Sequence, residues 1–89
     1  METPADNGKA GAADPADVAE ALVDWLRGEL NDGTISASDN FLDVGGYSLL
    51  FSKLNRFLGA TYGVALDIRT TYTEPLDAAV TKMQPAQKR

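Results

Sequence analysis

Apolar residues recur at helical spacing in three stretches of the chain. Val18, Leu22, Trp25 with Leu26, and Leu30 form the first stripe, with the i, i+4, i+7 repeat of an amphipathic helix. Its start is marked: Asp14 can cap, Pro15 suits the first helical position, and Asp17 and Glu20 complement the positive dipole end. Gly28 weakens the last turn, and Asn31-Asp32-Gly33 ends the helix. The second stripe comprises Leu50, Phe51, Leu54, Phe57, Leu58 and Thr61. Its helix is expected to begin at Ser48, acting as cap, after Gly45-Gly46 has stopped any earlier structure, and to end at Gly63. The third, with Leu76, Ala79, Val80 and Met83, belongs to a last helix opened by Glu74-Pro75 and running to about Met83. Trp25 and Tyr72 are expected in the core.

Two segments lack either periodicity. Asn31 to Tyr47 is a long connection for so small a domain, and such loops tend to be functional. Ile35, Phe41, Leu42 and Val44 read as anchors that pin it to the core, and Ser38-Asp39-Asn40 reads as the start of an Asx or helical turn. Val64 to Asp67 reads as extended but too short and unpartnered to make a sheet, and Ile68 to Tyr72 as a single helical turn. The expected fold is therefore all-α: a small antiparallel four-helix bundle, three main helices plus one short helix, with a long structured loop between helices 1 and 2. The folded part is expected to be residues 14–84. Residues 1–13 read as a disordered leader and 85–89 as a flexible tail.

Composition narrows the chemistry. The chain of 89 residues has room for one domain. It contains no cysteine and no histidine, which removes disulfides, thiolate or imidazole metal sites and the commonest general base. No apolar run approaches ~18 residues, so no membrane span is expected, and the first residues lack the pattern of a secretory signal; a cytoplasmic monomer fits. A net charge of −5 argues against nucleic acid as a partner. The charge is polarised: residues 1–47 hold ten acids and two bases, residues 48–89 three acids and six bases. That split is compatible with ordinary solvated helix faces and with a polarised surface for partners.

The segment Phe41-Leu42-Asp43-Val44-Gly45-Gly46-Tyr47-Ser48-Leu49-Leu50 concentrates the candidate chemistry. It puts a serine hydroxyl at a helix start, where unpaired N–H groups and the dipole favour a phosphate. Gly45 and Gly46 allow another backbone to approach the site. Three other readings stand beside a phosphoryl-modified serine. Ser48 suits an ordinary helix cap. It resembles a hydrolase nucleophile only in part, because Leu50 stands where the nucleophile elbow needs glycine and no histidine is present. A nucleotide loop lacks its strand and its Gly-Lys-Ser/Thr ending.

The same residues resemble a known family. Gly-Gly-x-Ser-Leu preceded by Phe-x-x-Val, downstream of an acid-capped helix, is similar to the peptidyl carrier proteins (thiolation domains) of nonribosomal peptide synthesis, within the phosphopantetheine-binding carriers. The resemblance extends from about Val18 to Met83. Thr70 and Thr71 depart from the more acidic or apolar pair usual in the third helix, and the last helix is less aliphatic. The resemblance implies a four-helix fold and a non-catalytic role. Ser48 would receive 4′-phosphopantetheine from coenzyme A through a Mg²⁺-dependent phosphopantetheinyl transferase, and the arm's thiol would carry an aminoacyl or acyl thioester between enzymes. With no cysteine in the chain, the arm would supply the only thiol. No catalytic residue and no resident metal are expected.

The implied partners are an adenylation or acyl-activating enzyme and condensation, tailoring or thioesterase enzymes. They belong to secondary metabolism such as antibiotic biosynthesis, with the chain as a discrete, free-standing carrier. The sister branch of fatty-acid and polyketide carriers typically has aspartate before the serine and an acidic second helix. Here Tyr47 precedes Ser48, and the helix bears Lys53 and Arg56. An acyl carrier delivering a fatty acid or other carboxylate is the alternative; from another class, so is a small helical interaction module in which Ser48 is only a cap. At about 100° per residue, Leu49, Ser52 and Arg56 share the exposed side with Ser48, and Lys53 flanks them. With Tyr47, these are the candidate partner-binding residues; Ile68 and Tyr72 are weaker candidates.

Overall fold

The computed structural model describes residues 13–86. Among these residues four helices follow one another: α1 (Pro15–Leu30), α2 (Ser48–Tyr62), α3 (Ile68–Thr73) and α4 (Leu76–Thr81). A two-stranded antiparallel sheet joins β1 (Val64–Ala65) to β2 (Gln84–Pro85). The protein is thus mostly helical, and the all-α expectation needs correction. Val64 does find a partner, in Pro85, 21 residues further on in the chain, and Ala86 N–H adds a 2.9 Å bond to the Gly63 carbonyl. Pro85 therefore belongs to the fold and not to a tail. Residues 1–12 of the leader expected over 1–13, and residues 87–89, lie outside the described residues; Ala13, the last residue of that expected leader, packs against the core.

α1 starts as its sequence dictates. Asp14 is extended (ψ 123°) and accepts the Ala16 N–H at 2.9 Å, and Pro15 follows. Asn31 closes the helix in the left-handed region, φ 53°, which asparagine tolerates better than most residues. Val18, Leu22 and Leu26 are buried. Trp25 is not: it is half-buried, stacked on Phe57 at 5.8 Å. In α2 the buried face is Leu50, Phe51, Leu54 and Leu58, while Phe57 is half-buried and Thr61 exposed. Gly63, φ 72°, ends the helix in a conformation that disfavours a Cβ.

The third main helix is shorter than its apolar stripe implied. α4 has six residues, with Pro75 in the cap position and not inside the helix, and Met83 falls beyond its end. Its first amides are satisfied by the long loop: Leu76 N–H bonds the Asp39 carbonyl at 2.8 Å and Asp77 N–H that of Ala37 at 2.9 Å. Leu76, Ala79 and Val80 are buried, and α4 packs on α1.

The long loop is ordered by the same means. Ile35 and Phe41 are buried, and Arg27 Nε donates to the Ile35 carbonyl at 2.9 Å. Val44 is half-buried, but Leu42, expected as an anchor, is exposed.

α3 is held by its cap. The Asp67 carboxylate accepts the Thr70 N–H and the Thr70 hydroxyl, both at 2.9 Å. These bonds, the backbone one first, hold its pKa below the usual carboxylate value. A depressed folded-state pKa contributes stability that is present above the unfolded value and is lost as pH falls through the folded one. Asp67→Asn keeps a capping side chain but cannot titrate. Its Tm is therefore expected to fall less steeply than that of the wild type as pH is lowered through the carboxylate range. Parallel pH–Tm curves for the two proteins would refute this.

Candidate functional site

The site is assembled on a single turn that begins at Asn40. Its side-chain oxygen accepts the Leu42 N–H at 2.8 Å and the Asp43 N–H at 3.2 Å. Val44 N–H reaches the Asn40 carbonyl, Gly45 N–H that of Leu42, and Gly46 N–H that of Phe41. The last two bonds, with Gly45 at φ 105°, form the double closure that ends helical turns at a left-handed residue. Gly45 is therefore required by backbone conformation. Gly46 is required by packing: a Cβ there would lie 2.5–2.6 Å from three ring carbons of Phe41. That ring is buried, stacked on Tyr72 at 5.9 Å and edge-on to Phe51 at 6.0 Å. Both glycines thus have a role inside this chain, separate from the approach of a second protein expected from the sequence.

Ser48 follows two residues later. The helix begins there as predicted, but the capping role does not hold. Tyr47 takes the cap position, extended at φ −152°, ψ 172°, and no side chain caps α2. Ser48 is the first helical residue, and it is exposed. The first intrahelical bond runs from Phe51 N–H to the Tyr47 carbonyl at 2.9 Å, so the amides of Ser48, Leu49 and Leu50 are the unpaired donors of this helix end. No acid lies in the first turn of α2, whereas Asp17 and Asp77 lie in the first turns of α1 and α4 and Asp67 caps α3. The result is an accessible hydroxyl beside free N–H donors, with no carboxylate in the same helical turn to repel an anion.

The candidate partner residues are all exposed: Tyr47, Leu49, Ser52, Lys53 and Arg56. Leu49 is 64% exposed beside its buried neighbour Leu50, so the helical phase read from the sequence holds. Lys53 pairs with Glu29 of α1 at 3.3 Å. It lines, with Arg56, Trp25, Glu29, Phe57 and Ala60, a shallow groove of about 320 Å³ between α1 and α2. On the other flank, Asn55 clamps the backbone of Leu66 through two hydrogen bonds, 2.8 and 3.1 Å, placing the start of α3 beside α2. Ile68, two residues on, is exposed, as is Leu42 in the turn. With Tyr47 and Leu49 these are the exposed large apolar side chains among the described residues. Tyr72, expected in the core, is half-buried against Phe41 and Phe51.

Among the described residues no cluster of acidic side chains is arranged to hold a metal ion, and no helix is long and apolar enough to cross a membrane. No family model matches the chain, and no solved structure matches it at a significant level. One curated protein is similar to part of it: the nonribosomal peptide synthetase sirP of Leptosphaeria maculans, 43% identical over 44 residues. That match covers 49% of this chain and 2% of the synthetase.

Proposed function

We propose that this protein is a carrier of the peptidyl-carrier type, with Ser48 as the attachment point of 4′-phosphopantetheine. The observation that carries the reading is the state of Ser48: exposed, free of any capping bond, and first in a helix launched from a Gly-Gly turn built around Phe41. The partial likeness to a nonribosomal peptide synthetase supports it. The residues present fit the group, since the serine oxygen is accessible and the α2 amides suit a phosphodiester. When bound, the arm supplies a thiol for thioester chemistry.

This chain's own part is limited. It holds the Ser48 hydroxyl outward and places donors beside the new phosphodiester. It offers no histidine or cysteine that would activate the serine internally. The base, the Mg²⁺ and the loading chemistry then come from other proteins: a phosphopantetheinyl transferase, an adenylation or acyl-activating enzyme, and condensation, tailoring or thioesterase enzymes. The test is a mass spectrum of the protein after incubation with coenzyme A and a broad-range transferase. Gain of one arm is the expected result; no gain with any transferase would end the carrier reading.

Leu49 is part of this proposal as a contact residue. Leu49→Asp would put an unpaired charge into a contact that must exclude water. Loading or transfer is expected to slow by at least about tenfold, the equivalent of losing roughly 1.5–3 kcal/mol of apolar burial at an interface. Its circular dichroism and Tm should match the wild type. Processing at the wild-type rate would remove Leu49 from the recognition surface.

A further inference from the structure

Asn40 lies eight residues before Ser48, and both ends of its side-chain amide are in use. Its oxygen accepts from Leu42 and Asp43, opening the turn that ends at Gly45-Gly46. Its Nδ2 donates to the carbonyls of Tyr72 and Glu74, both at 3.1 Å. The Tyr72 carbonyl is one of the orphans at the end of α3, because the Leu76 N–H that would continue the helix is turned to Asp39. Among the described residues no other side chain hydrogen-bonds both the turn and the exit of α3. The Phe41–Tyr72 stack lies beside this link, but stacked rings slide more readily than paired amide bonds, whose geometry is directional.

We infer that Asn40 is a positioning residue for Ser48: it locks the serine-bearing turn to the end of α3, so that the two move as one body. The inference about backbone position stands on the hydrogen bonds alone; its effect on modification rests on the carrier function proposed above. Two consequences distinguish a positioning role from general support of the fold. Cutting only the α3 side of the link should displace the site without unfolding the protein. Restoring a donor at the same atom should bring the site back.

The test uses the whole chain and two variants. Asn40→Asp keeps an acceptor for the turn but sets an anionic oxygen against two carbonyls. Asn40→Ser keeps a short acceptor for the turn, carries no charge and does not reach α3. Backbone amide shifts are recorded by NMR, and the initial rate of coenzyme A-dependent modification is measured at neutral pH. Both variants are expected to fold. The amides of Gly46 to Leu49 should shift together with those of Glu74 and Leu76, and the modification rate should fall about tenfold, as expected for a misplaced reacting group. On acidification of Asn40→Asp, the introduced carboxyl gains an O–H that can donate to a carbonyl. The Gly46 to Leu49 amides of that variant should then return toward their wild-type positions, whereas those of Asn40→Ser should not.

Amides of Gly46 to Leu49 that stay in place while Glu74 and Leu76 move would overturn the inference, as would modification at the wild-type rate. If one variant does not fold, the other decides. If wild-type protein is never modified, the carrier reading fails, and the amide shifts alone decide the role of Asn40.

Discussion

In the Ser48→Ala variant, incubation with coenzyme A and a phosphopantetheinyl transferase is expected to add no mass at all, while the protein melts at the wild-type temperature. The first half follows from chemistry: an alanine has no oxygen to form the phosphodiester, and the loss is complete, not graded. The second follows from where the residue lies. A true cap serine replaced by alanine costs ~1 kcal/mol, but Ser48 is the first helical residue and caps nothing. Alanine is a good helix former, and the side chain is exposed, so no bond or packing is lost. Residual attachment to the variant would move the site to another hydroxyl. A large drop in Tm would mean that Ser48 supports the fold after all.

Phe41→Ala is expected to cause the largest loss of stability among the residues of the site, about 3–5 kcal/mol for a buried phenylalanine. Its ring is fully buried and touches Phe51 and Tyr72. For a domain of this size, Tm should fall by about 15 °C or more, read by circular dichroism. Gly46→Ala tests the same contact from the other side. Its Cβ would collide with a ring that cannot swing away, a strain of about 1–3 kcal/mol. Phe41→Ala removes the ring that makes Gly46→Ala costly, so the two should be strongly non-additive. In the Phe41→Ala background, Gly46→Ala should cost little, since the new methyl enters the space the ring has left. Additive losses would show that Gly46 is required for a reason other than Phe41.

The parts of this structure set by neighbouring residues were legible in the sequence. The cap at Asp14, the proline after it and the stripe of Val18, Leu22 and Leu26 lie within a few turns of one another, and α1 has the predicted start. The phase of α2 was legible for the same reason, down to Leu49 outside and Leu50 inside. What escaped depends on residues far apart in the chain. β1 and β2 have two residues each, too few for alternation to register, and their pairing spans the whole of α3 and α4. The Asn40 amide reaches carbonyls 32 and 34 residues away, a bond that no local pattern encodes. The capping role of Ser48 failed by a single position, because the extended residue that starts the helix is Tyr47. Hydrophobicity alone makes Leu42 an anchor, yet the turn around Phe41 admits only one of two adjacent side chains to the core.

The packing of α4 on α1 bears on when during synthesis this site comes into being. α1 must wait for α4, made later, before its apolar face is fully covered, and the turn that presents Ser48 leans on carbonyls of residues 72 and 74. Contacts of such sequence separation form late, because loop closure must precede them. A nascent chain that has just exposed Ser48 therefore displays the serine on an unfinished turn. An enzyme that recognises the folded turn would act after translation has passed α4, and stalled or truncated chains ending before that point would escape it.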